Sequence, residues 1–93
     1  MQIKVKTGFF QTKVYTMEIQ SDTVGFHCED GDTILLQREN ITEVYFRMSD
    51  IRLPRIEFLT PQGSLGGELL NRDGAEDCMV MLKREFGRKA VVD

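Results

Sequence analysis

The hydrophobic period changes once, about three quarters of the way along the chain. From Met1 to about Leu70, apolar and polar residues alternate in short runs broken by turn residues, the period-two pattern of half-buried strands. From Asp73 to Phe86 the spacing becomes helical. Many short strands followed by one amphipathic helix predict a small antiparallel barrel or curled sheet plugged by that helix.

Each predicted strand has its own pattern. Gln2–Lys6 turns Ile3 and Val5 to one face and Lys4 and Lys6 to the other. A longer strand, from about Phe10 to Gln20, groups Tyr15, Met17 and Ile19 opposite Thr16 and Glu18. Val24, Phe26 and Cys28 alternate with Gly25 and His27. Glu29-Asp30-Gly31-Asp32 then predicts a hairpin of type I′, because Asp-Gly tolerates positive φ. The unbroken apolar run Ile34-Leu35-Leu36 predicts a return strand buried on both faces, or a bend. Ile41–Arg47 places Tyr45 and Arg47 opposite Val44 and Phe46. Ile51 and Leu53 sit in a weaker extended piece between Ser49-Asp50 and Pro54. Arg55–Thr60, the turn Pro61-Gln62-Gly63 and Ser64–Leu70 complete the series, with Gly66-Gly67 marking a bulge or bend.

The helix is predicted over about 73–87. Asp73 is the expected N-cap and Glu76 the return arm of a capping box. Ala75, Cys78, Met79, Leu82 and Phe86 share one face, Gly87 suits the C′ position, and Lys83, Arg84, Arg88 and Lys89 suit the negative end of the helix dipole. Leu82 and Phe86 are the positions expected to tolerate a polar residue least. The tail, residues 88–93, is expected to fray.

A chain of 93 residues forms one domain, 1–93, with a core large enough to need no disulfide staples. Cys28 and Cys78 are expected to be buried free thiols that act as small hydrophobes. The first residues lack the apolar run of a signal peptide and no window is long enough to span a bilayer, so the expected location is the cytoplasm. A net charge of −3 argues against general nucleic-acid binding. The charge is segregated, however. Residues 1–17 carry Lys4, Lys6 and Lys13 and no acid; residues 18–43 carry seven acids and only Arg38; Arg47, Arg52 and Arg55 then flank a single acid, Asp50.

Several phrases of the chain carry a resemblance. The run Met17 to Phe26 is similar to the strand, short turn and apolar-Gly-Phe opening of bacterial pleckstrin-homology-like (PH-like) domains of the GRAM-like group. Ile34-Leu35-Leu36 before Asn40-Ile41-Thr42-Glu43-Val44, then Arg55–Thr60, Pro61-Gln62-Gly63 and the terminal helix, follow the order of elements in that family. The resemblance implies a PH-like barrel of six to seven antiparallel strands in two roughly orthogonal sheets, capped by the helix. It implies a non-catalytic binding module for protein–protein interaction or self-assembly as a homo-oligomer, or else peripheral binding to anionic lipid. Phosphoinositide readers in the family carry an Arg-x-Arg in the first hairpin; the stretch Lys4 to Lys13 has none. Fold alone does not transfer function.

No catalytic constellation stands out, and no enzyme activity, cofactor or metal is predicted. His27 is the single histidine, so no His cluster exists, and alternation turns it away from Cys28. Glu29–Asp32 lacks EF-hand spacing. Gly63–Gly67 lacks the Lys-Ser/Thr sequel of a phosphate loop. Glu57 and Glu68 lie on neighbouring strands, without sign of the desolvated cleft that paired catalytic acids need. The candidate ligand-binding residues are therefore the basic ones. Lys4, Lys6 and Lys13 form either a stripe beside Phe9 and Phe10 for an anionic surface, or ordinary outward lysines with both phenylalanines in the core. Arg47, Arg52 and Arg55 are the second basic group.

Overall fold

Eight strands and one helix account for most of the chain in a computed structural model, which describes residues 1–6, 8 and 11–93. The strands are β1 (Gln2–Lys6), β2 (Thr12–Ile19), β3 (Thr23–Cys28), β4 (Thr33–Gln37), β5 (Glu43–Arg47), β6 (Arg55–Thr60), β7 (Gly63–Leu69) and β8 (Ala90–Val92), with α1 (Ala75–Phe86) between β7 and β8. The fold is mainly β with a single C-terminal helix.

Hydrogen bonding runs continuously across all eight strands in the order β4-β3-β2-β1-β7-β6-β5-β8. Two antiparallel meanders, β1–β4 and β5–β7, join where β1 meets β7 through Ile3↔Leu69 and Lys4↔Glu68. Gly67 sits at that seam. A Cβ there would stand 2.8 Å from the Lys4 carbonyl oxygen, so only glycine lets the strands approach. Among the described residues the expected closure does not occur: β4 and β8 are separate edges, and the sheet is open.

The last strand differs from expectation in two ways. Residues 90–92, expected to fray, form β8, and β8 runs parallel to β5 with Val44↔Ala90, Tyr45↔Val91 and Phe46↔Val92. The sheet is therefore mixed, not all antiparallel. A 3-10 turn at Gly87–Lys89 redirects the chain from the helix to the β5 edge, which supplies backbone partners that three residues lack by themselves.

Inward-facing residues of both meanders form one core, including Ile3, Tyr15, Val24, Phe26, Val44, Phe46, Ile56 and Phe58. The helix buries Ala75, Cys78, Leu82 and Phe86 against it, and Met79, predicted on the same face, is half-buried at its margin. Phe58 meets Phe26 edge-on at 5.7 Å and Phe86 at 6.0 Å, so one ring ties β3, β6 and α1 together. Burying Leu82 and Phe86 contributes about 1.5–3 kcal/mol each.

Local chemistry departs from the predicted caps. The helix N-cap is Gly74 at φ 79, without a side-chain cap, rather than Asp73. The Ala75 N–H donates to the Arg72 carbonyl and the Cys78 N–H to that of Gly74, so a left-handed glycine turn opens the helix. Gly87 does close it, at φ 56, its N–H donating to the Lys83 carbonyl. The hairpin at Glu29–Asp32 forms, but only Gly31 has positive φ there, so the turn is not type I′. The Gly31 N–H donates to the Cys28 carbonyl and the Cys28 N–H to that of Asp32, which closes a three-residue loop.

Candidate functional site

Two surface features emerge, at opposite ends of the strand order. The first is the β4 edge. Ile34-Leu35-Leu36 was expected to be buried on both faces or bent; instead it is an edge strand with Leu35 58% exposed on the outer face and Ile34 and Leu36 half-buried. Among the described residues β4 pairs with β3 and with no other strand. Its sequence, Thr-Ile-Leu-Leu-Gln, carries no charge and no proline. Natural edge strands are usually protected by such residues, so this edge is open to further pairing.

The second is the outer face over β5, β6, β7 and β1. Alternation turns Arg47 outward, and the register aligns Arg47↔Arg55, Arg55↔Glu68 and Glu68↔Lys4 in one row across four strands. Between β5 and β6 the chain swings out through residues 48–54, which form no strand and bend at 50–52, in place of the extended piece expected around Ile51 and Leu53. The Ser49 hydroxyl accepts the N–H groups of Ile51 and Arg52. Arg72 donates to the carbonyls of Ser49 and Arg52, the latter at 2.9 Å. Pro54 is buried, and its carbonyl accepts the Leu69 N–H at 2.9 Å. The loop is thus anchored at both ends and folds Arg52 back towards the row. A cavity of about 420 Å³ lies between, lined by Arg47, Ser49, Arg52, Leu53, Arg55 and Glu68. A second, of about 240 Å³, is lined by Tyr45, Arg47, Arg55 and Glu57.

The structure gathers three of the predicted site residues, Arg47, Arg52 and Arg55. It does not gather Lys4, Lys6 and Lys13. Lys4 and Lys6 lie on the outer face of β1, whereas Lys13, opposite Val5, has the inward parity of Tyr15 and Met17. Lys13 Nζ is 2.7 Å from Asp30 Oδ2 and 3.6 Å from Asp32 Oδ2. The Tyr15 hydroxyl donates to Asp32 Oδ2 at 2.6 Å. The Lys13 ammonium holds Asp30 down to about 2, with the Asp32 N–H as the next cause, and the bond to Asp32 pushes Tyr15 up to about 12. This knot braces the β3–β4 hairpin. Phe9 and Phe10, the apolar partners proposed for the stripe, lie outside the described residues.

The remaining sequence candidates stay apart. His27 is exposed on the outer face, opposite Thr16 and Thr33, and Cys28 is half-buried on the other. Cys78 is buried, which pushes its thiol up to about 11. Glu57 lies opposite Gly66 and Glu68 opposite Arg55, so the two carboxylates are not paired. Sequence reasoning missed Ser49 and Arg72, whose roles come from backbone contacts across the fold. Among the described residues no helix is long and apolar enough to cross a membrane.

Comparisons of the chain with family models, curated proteins and solved structures found no match.

Proposed function

We propose that this chain is a non-catalytic binding module of PH-like architecture that docks a partner strand on its β4 edge, the partner being a second copy of itself. The architecture is supported by the order of elements, a four-strand meander, a three-strand meander and then the helix. The two roughly orthogonal sheets of the PH-like barrel correspond, in this reading, to the halves that meet at Gly67.

One observation carries the function: β4 is an uncharged edge with an exposed central leucine. A strand edge recognises another strand, through backbone hydrogen bonds first and side chains second. A second copy fits well. In an antiparallel pair about a two-fold axis at Leu35, the two Leu35 side chains adjoin, Ile34 meets Leu36 of the partner subunit, and Thr33 meets its Gln37. Asp32 then lies across from Arg38 of the partner subunit, and no like charges face each other along the pair.

Attachment to anionic lipid through Lys4, Lys6 and Lys13 has no comparable support, because Lys13 faces away and is neutralised by Asp30 and Asp32.

Light scattering across a concentration series tests the proposal. The wild-type chain is expected to shift from monomer to dimer, and Leu35→Lys to remain monomeric with an unchanged fold. In a Cys28→Ser background, Leu35→Cys is expected to oxidise to a covalent dimer, while Thr33→Cys, four residues from its own copy in this register, is not. A chain that stays monomeric up to millimolar concentration sinks the idea.

A further inference from the structure

The geometry points to a binding site for a phosphate monoester in the cavity of Arg47, Arg52 and Arg55. Three observations converge on it. Arg47 and Arg55 are direct cross-strand neighbours, and like charges so placed destabilise a sheet unless something between them compensates. No ion pair joins Arg52 or Arg55 to any described residue. Arg47 meets Asp93 through Nε at 3.4 Å, in a pair whose side chains are both mostly exposed.

The site is also built in advance. Arg72 spends its guanidinium on the carbonyls of Ser49 and Arg52, and the Ser49 hydroxyl fixes two N–H groups of the same loop. A ligand therefore does not have to order the loop that carries Arg52, which lowers the entropic cost of binding.

The donor set selects the ligand. A guanidinium offers five N–H donors and no acceptor, and a carboxylate is satisfied by one such fork. Three forks around one cavity match a group with three terminal oxygens. Glu68 is in the wall and opposes any anion. Three guanidiniums against Glu68 and the Asp93 carboxylate that Arg47 meets still leave a net positive charge of one, so the cavity attracts an anion. A cavity of about 420 Å³ holds more than a bare phosphate, and Leu53 offers an apolar contact for the organic part. The monoester can be carried by a soluble metabolite or by a lipid headgroup.

Titration of the isotope-labelled chain with inorganic phosphate, followed by amide shifts, tests the site. Saturable changes confined to residues 47–55 and Glu68 are expected. Arg52→Gln and Arg55→Gln are each expected to weaken binding at least tenfold, and Glu68→Gln to strengthen it several-fold. Arg52 and Arg55 are exposed and Glu68 is half-buried on the outer face, and the unshifted remainder of each spectrum verifies the fold. Affinity is expected to fall below about pH 6, as the phosphate takes its second proton. Glycerol phosphate in solution and vesicles of phosphatidylcholine with phosphatidic acid separate the two carriers; Arg55-dependent binding in either arm supports the site. Shifts spread evenly over Lys4, Lys6 and Lys89, or affinity that survives Arg52→Gln with Arg55→Gln, overturn it.

Discussion

The guanidinium of Arg38 stands 5.0 Å from the centre of the Phe86 ring and donates to the carbonyl of the neighbouring Glu85 at 2.6 Å. The same side chain donates to the Gln20 carbonyl at 2.8 Å and reaches Glu85 Oε1 at 3.3 Å. One arginine just beyond β4 therefore fastens the β2–β3 turn and the C-terminal turn of α1. It supplies a cation where the helix dipole is negative and a donor for a carbonyl that helix termini leave orphaned.

Arg38→Met is expected to destabilise the fold by about 2–3 kcal/mol, since the stem still packs but charge-assisted bonds and the ring contact are lost. Arg38→Lys is expected to recover less than half, because an ammonium cannot fork between Gln20 and Glu85. Urea midpoints of the three chains measure this. Equal stability of Arg38→Met and wild type would show that the fastening contributes nothing.

The Lys13, Asp30, Asp32 and Tyr15 knot predicts pH dependence at both extremes. The folded pKa of Asp30 is lowered from 3.8 to about 2. Its contribution is therefore present above about pH 4 and lost as pH falls through about 2. The folded pKa of Tyr15 is raised from 10.0 to about 12. Its contribution is complete below about pH 10 and lost as pH rises through about 12. Lys13, also raised, adds to the alkaline limb. Stability curves are expected to flatten between pH 4 and 2 in Asp30→Asn, and in part between pH 10 and 12 in Tyr15→Phe. Unaltered slopes in both variants contradict the assignment.

Removal of residues 90–93 strips β8 from β5. The Asp93 N–H donates to the Phe46 carbonyl at 3.0 Å and the Met48 N–H to the Asp93 carbonyl at 3.3 Å; Ala90 and Val92 pack on the core. A loss of about 2 kcal/mol is expected from these bonds and the half-buried side chains. Amide exchange at Met48 is expected to speed up. The bared β5 edge is expected to create association that persists in a Leu35→Lys background. Stability and exchange equal to those of the full chain would mean that β8 is ornamental.

Some of the tertiary arrangement was already written in local parity. Lys13 has the same strand parity as Tyr15 and Met17, and that signal alone places it away from Lys4 and Lys6. The pairing of Arg47 with Arg55 was not legible, because it depends on the register of β5 against β6 across a seven-residue loop. Asp73 failed as a cap because Gly74, at φ 79, turns the chain before a side chain can reach back.

Period and turn residues by themselves determined the run of strands, the single helix and its buried face, since alternation and 3.6-residue spacing are properties of neighbours in the chain. Which strands became edges was decided only by the tertiary structure. Ile34-Leu35-Leu36 has the composition of a central strand, and Ala90-Val91-Val92 is too short to announce one. An edge is defined by the absence or presence of a distant partner's backbone, and a local pattern contains no information about that partner. The arginine cavity arises for the same reason, from register and from a loop held by Arg72 twenty residues beyond it.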